Sequence, residues 1–267
     1  ASYVDFPHLL QIESVACEQM LDITVSSSRL AIETSRAEMA IEDLTLLVRD
    51  SELGNREDLA DLLLKFAYDV SKVVERVEKL APVVIGMVDQ VNAANDFALR
   101  TIQSAAIHAT DSSIPCILSM SGETTTVMRR SFDESFNAAN NWIEKLSKDH
   151  WHLLDDLRFA DAQLVTISEV ASPASSAKHR DGLFVGIFSQ IGKRVLKMRE
   201  FQSHPALLKS METFPWRATA QVKATIKTLE VVHADLGKLR GTVDAQVGRT
   251  ITLDEQMKSL NSGMERL

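Results

Sequence analysis

Apolar residues recur every seven positions along most of this chain, the spacing of helices packed side by side in coiled-coil fashion. The strictest run starts at Leu59. Leu59, Phe66, Val73, Leu80, Met87, Ala94 and Thr101 form one row, and Leu63, Val70, Val77, Val84, Val91, Ala98 and Ala105 form a second. Only Thr101 among them is not apolar, and it is small. A repeat this strict keeps one seam facing its neighbours for about 70 Å of helix. Pro82 interrupts the ladder near Glu78 and predicts a kink without a break.

The first segment carries Leu9, Ala16, Ile23, Leu30, Ala37 and Leu44, with a second row of Glu13, Met20, Ser27, Thr34, Ile41 and Val48. The third carries Phe132, Ala139, Leu146, Leu153, Ala160 and Ile167, with Phe136, Ile143, His150, Leu157, Leu164 and Ala171. The last third is less regular, with Val222, Leu229, Leu236 and Val243 as its clearest row. Strand-like alternation is absent. Turn residues stand where helices must end: Asp50 to Asn55, Thr110 to Pro115, Ser121 to Glu123 and Ser172 to Ser176. Pro205 and Pro215 sit where a helix can restart, and Thr252 with Glu255 reads as a capping box.

Helices are therefore predicted near 6–48, 57–108, 123–171, 182–203, 205–213, 216–247 and 253–266. Long helices joined by tight turns pack antiparallel. The expected fold is all-α, an elongated up-down bundle of four to five long heptad-patterned helices. It forms one domain over 1–267, with a weak boundary near 172–181.

Composition narrows the classes. At 45% hydrophobic and 25% charged the chain has ample core material, which excludes a disordered protein. With 10 Gly and 6 Pro in 267 residues it is neither collagen-like nor rich in glycine turns. Cys17 and Cys116 are too few for a disulfide framework, so a reducing compartment, the cytoplasm, is expected. No apolar run approaches the length of a bilayer-spanning helix. The opening residues ASYVDFPHLL lack the basic-then-apolar layout of a signal peptide.

The net charge of −8 is unevenly spread. Residues 1–110 carry 9 basic and 18 acidic side chains, 111–173 carry 5 and 10, and 174–267 carry 15 and 9. The basic third is interleaved with acids, so acidic helices packing against basic ones is the expected use of this charge. Nucleic acid is not an expected partner, since no reading motif accompanies the lysines and arginines.

No motif assembles a catalytic site. Glu230 and His233 have the Glu-x-x-His spacing of di-iron bundles, but no second copy exists and only Glu13 stands as an inward carboxylate on the seams. His150 and His152 point to different helix faces, which argues against joint metal ligation, and His150 is expected in the core. Asp155, Asp156 and Asp161 have the wrong spacing for the aspartate-rich motif of prenyl-transfer enzymes. Phosphate loops, nucleophile elbows and dinucleotide fingerprints are absent. Cys17 and Cys116 read as buried structural thiols. No catalytic residue, metal ligand or cofactor is assigned.

One stretch is chemically distinctive. Gly182-Leu-Phe-Val-Gly-Ile-Phe-Ser-Gln-Ile-Gly192 combines aromatic and aliphatic residues with three glycines, and Lys193 and Arg194 follow. Leu183, Phe184, Ile187, Phe188 and Ile191 share one helical face, so the segment is a candidate for core packing or for insertion at a membrane surface. Gly182 and Gly186 have the spacing of close helix approach.

Three stretches, Asn92-AANDFALRTIQ, Met211-ETFPWRATAQV and Met257-KSLNSGMERL, resemble a group of fungal long-helix proteins with no assigned activity. The resemblance implies a long-helix protein and carries over no catalytic residue. It also implies that sequence continues past Leu267, where a membrane anchor or tail would lie. The expectation is a non-enzymatic scaffold that meets other proteins, or itself, through helical faces. The alternative is a membrane-active bundle, either an α-type pore-former or a peripheral scaffold, using residues 182–192.

Overall fold

The computed structural model describes residues 4–111, 122–171, 182–191 and 204–245. They form five helices, α1 (Phe6–Arg49), α2 (Arg56–Asp111), α3 (Gly122–Ala171), α4 (Leu183–Ile191) and α5 (His204–Ala245), with no strand among the described residues. The chain is all-α, and its helices pack against one another. Four helices are long, while α4 has nine residues.

Local chemistry sets the helix ends. The Asp5 carboxylate accepts the N–H of His8 at 3.1 Å and caps α1. Glu57 and Asp58 occupy the first turn of α2, where the helix dipole favours negative charge. Between α1 and α2 the Ser51 hydroxyl donates to the Val48 carbonyl and accepts the Leu53 N–H, which turns the chain back. Helix α2 runs unbroken through Pro82, as expected.

Pro215 behaves differently from the expectation. The predicted break between 213 and 216 does not exist, and α5 is continuous through Pro215. A proline inside a helix forfeits a backbone hydrogen bond at a cost of about 3 kcal/mol. Here Leu208, Met211, Phe214, Ala218 and Val222 bury one continuous face on both sides of the ring, and that burial outweighs the loss. The terminal helix expected at 253–266, residues 192–203 of the expected fourth helix, and the boundary near 172–181 lie outside the described residues.

The chain divides into two compact units that cut across the helices. The first takes α1 up to Asp22, α2 from Pro82, α3 up to Asp149 and α5 from Thr225. Its core includes Phe6, edge-on to Phe132 with ring centres 5.5 Å apart, and Phe136 stacked on Phe132 at 6.1 Å. Arg129 donates to Asp244 at 2.6 Å and Arg240 to Asp133, so α3 and α5 run antiparallel here. That network holds the Asp244 carboxyl below its usual range, mainly through the Arg129 hydrogen bond.

The second unit takes α1 from Ile23, α2 up to Ala81, α3 from His150, all of α4, and α5 up to Ala224. Gln163 donates to Asp69 and Arg76 to Asp156, both at 2.6 Å, which sets α2 and α3 antiparallel. Arg217 reaches Glu33 at 3.0 Å and Gln221 reaches Ser27 at 2.9 Å, which sets α5 antiparallel to α1. In each unit a basic side chain of the last third meets an acid of an earlier helix, Arg240 with Asp133 and Arg217 with Glu33, while Arg129 with Asp244 has the opposite polarity.

The heptad rows face inward. Every member of the third-segment rows is buried except Ala171, which is half-buried. In α2 the second row is buried from Leu63 to Ala98, while Leu80, Ala94 and Thr101 of the first are half-buried. In α1 only Ile23 and Ser27 of the two rows are half-buried.

Candidate functional site

Glu13 stands at a seam position whose heptad row continues with Met20, Ser27, Thr34, Ile41 and Val48. The side chain is 4% exposed, inside the first unit. Its Oε2 accepts a hydrogen bond from the Asn95 Nδ2 of α2 at 2.8 Å, while the Asn95 Oδ1 has no partner. Beside Glu13 lies a pocket of about 10 Å³, lined by Cys17 of α1, Met87 and Val91 of α2, Trp142 of α3, and Val232 and Leu236 of α5, with further apolar side chains. The Trp142 indole N–H is buried and has no hydrogen-bond partner.

Burial dominates the electrostatics of this cluster. It pushes the Glu13 carboxyl up to about 8, and the Asn95 hydrogen bond offsets only part of that rise. Burial also pushes the Cys17 thiol up to about 12, with the neighbouring Glu13 charge adding to it. The thiol is therefore protonated at neutral pH and is no nucleophile there. Cys17 is buried, as expected, and Cys116 lies outside the described residues.

The segment singled out at 182–192 is placed in the second unit. Phe184, Ile187 and Phe188 are buried there, and Leu183 and Ile191 are half-buried. Phe184 meets Phe66 of α2 with ring centres 5.5 Å apart, and Phe188 stacks on His204 of α5 at 6.1 Å. The Glu212 carboxylate of α5 accepts the Gly182 N–H at 2.8 Å and fixes the start of α4. Gly192, Lys193 and Arg194 lie outside the described residues.

The expected close approach at Gly182 and Gly186 is not found. A Cβ at either position would meet no described atom within 4 Å. Gly182 is required for another reason: its φ of +87° lies in the left-handed region that side chains avoid.

The remaining motif residues stay apart. His150 is buried, whereas His152, Glu230 and His233 are exposed. Asp155 and Asp156 pair with Arg158 and Arg76. Among the described residues no group of three or more His, Cys, Asp or Glu side chains could hold a metal ion. No helix of the described residues is long and apolar enough to cross a membrane.

No protein-family model matches the chain, and no curated protein matches it.

The outer face of α1 is apolar as well. Val25, Ile32, Met39 and Leu46 are 72%, 55%, 62% and 60% exposed, and they lie seven residues apart along the α1 portion of the second unit. They form a third heptad row, opposite the buried rows of the same helix. The signal was present in the spacing, but three rows of one helix cannot all face one core, and spacing alone does not say which is left out. Asn95 and Trp142 carried no periodic signal that linked them to Glu13.

Proposed function

We propose that the protein is a non-enzymatic structural and interaction protein whose α1 carries two apolar seams, one for its own core and one for a second copy of the chain. The observation that carries this reading is the exposed row Val25, Ile32, Met39 and Leu46. Large apolar side chains scattered singly on a surface need no explanation, but four in exact heptad register form half of a helix–helix seam.

The row suits an isologous pairing. Two antiparallel copies set Val25 level with Leu46 of the other copy and Ile32 level with Met39. Arg29 of one copy then falls within a turn of Asp43 of the other, whose carboxylate also holds His204 of its own chain at 2.8 Å, while the small Ser35 lies beside the two-fold axis. Arg36 meets its own counterpart near that axis, which keeps the pairing weak. Surface ion pairs contribute little to stability but select orientation.

The membrane-active alternative is less well supported. It needs the face of 182–192 to be free, and Phe184, Ile187 and Phe188 are committed to packing within the second unit.

Sedimentation velocity of the full chain over a range of micromolar concentrations tests the proposal. The expected result is concentration-dependent dimer formation, abolished by Ile32→Glu with Met39→Glu and weakened by Arg29→Asp. A chain that stays monomeric throughout, or a dimer indifferent to the double variant, contradicts it.

A further inference from the structure

We propose that Glu13 is a buried proton-binding site that latches the first unit: protonated, it lets α1, α2, α3 and α5 close around it, and deprotonated, it draws water into the adjoining pocket and loosens their packing. The geometry carries this assignment. The carboxyl occupies an apolar seam position, and its hydrogen-bond partner is a neutral amide, Asn95, at 2.8 Å. A carboxylate has about four acceptor sites to satisfy, and an amide can supply few of them.

Among the described residues gathered around it there is no cation. Besides Glu13, the polar or titratable side chains gathered here are Cys17 from α1, Asn95 from α2 and Trp142 from α3, and α5 contributes Val232 and Leu236 alone. The ionised form would thus be a buried, uncompensated charge.

The same residues can serve both protonation states. Asn95 has a free Oδ1, so by turning its amide it accepts the O–H of the acid or donates to the carboxylate. The pocket of about 10 Å³ is close to the roughly 10–15 Å³ that one water needs. The Trp142 side chain lines the same pocket, and its indole N–H is a buried donor without a partner. Entry of water there would give the carboxylate the solvation that the closed core denies it.

The direction of the pH dependence follows. The carboxyl titrates near 8 in the folded chain, against 4.5 as its ordinary value. Between those values the folded state holds more protons than the unfolded state, so stability falls as pH rises. The stabilising contribution is complete below 4.5, is lost progressively up to about 8, and changes no further above that. Cys17, pushed up to about 12, stays neutral throughout this window.

Trp142 supplies a reporter at the site. With Trp151→Phe and Trp216→Phe it is the only tryptophan of the chain, since the sequence has three. Its emission is expected to shift with a midpoint near pH 8, and Glu13→Gln, which preserves a hydrogen bond to Asn95, is expected to abolish that titration. If Glu13→Gln does not fold, Glu13→Leu gives the same comparison with the residue type the seam expects. Infrared spectra of the unmodified chain provide an independent reading: the carbonyl band of a neutral carboxylic acid should persist at pH 7 and vanish above pH 9. Absence of that band at pH 7, or a Trp142 titration that survives loss of Glu13, overturns the proposal.

Discussion

Val77→Asp is expected to destabilise the second unit by about 3–5 kcal/mol, enough to unfold it at moderate temperature. Val77 belongs to the second heptad row of α2 and is 6% exposed. An aspartate there brings a carboxylate into an apolar seam whose next positions are Val70 and Val84, both buried. It either stays charged without a partner or takes up a proton, and each choice costs stability. Glu75→Gln, two residues away, is the matched control. Glu75 is exposed and pairs with Lys79 one turn on, so its replacement should leave the melting temperature unchanged. Thermal unfolding followed by circular dichroism checks both. Equal melting temperatures for the two variants would show that α2 faces its neighbours in a different phase.

Phe184→Ala is expected to cost roughly 3–5 kcal/mol, the range for removing a fully buried aromatic side chain. Phe184 has no exposed surface, and its ring sits 5.5 Å from that of Phe66. The contacts of Gly182 with Glu212 and of Phe188 with His204 oppose collapse of α4 into the space left behind. The same packing predicts slow amide exchange across 184–191 in the unmodified chain. No dye should escape from liposomes mixed with the protein at neutral pH. Fast exchange in α4, with leakage that Phe188→Asp abolishes, would instead mean that the segment leaves its packed position to enter the acyl boundary.

The helices themselves were legible because one physical rule dominates them. Heptad rows held over many turns mark where a helix runs, and α1, α2 and α3 begin and end within about three residues of the positions the rows and turn residues indicate. The rule failed where a strong local signal met a stronger tertiary one. Pro215 reads as a helix start, yet the apolar face on both sides of it carries α5 through. Gly182 and Gly186 read as close-approach positions, but that motif describes helices meeting across small residues, and here no other described helix comes within 4 Å of a Cβ at either.

The candidate site was legible only in part. Glu13 could be read as an inward carboxylate from its row, but its meaning depends on Asn95, 82 residues further along, and on Trp142 from a third helix. Nothing local connects those three. The outer row of α1 was hidden by its own regularity, since Val25, Ile32, Met39 and Leu46 repeat as strictly as the residues that form the core. Burial, not spacing, separates the two seams.

Thermal melting of Leu44→Asp beside Leu46→Asp separates the inner face of α1 from the outer one. The two leucines are two residues apart on α1; Leu44 is fully buried and Leu46 is 60% exposed. The two-seam account predicts a loss of several kcal/mol, on the order of 3–5, for Leu44→Asp, and a melting temperature matching that of the unmodified chain, at a concentration where it is monomeric, for Leu46→Asp. A Leu46→Asp variant that melts as early as Leu44→Asp would show that the outer row is packed within the molecule, and would contradict its assignment to a second copy.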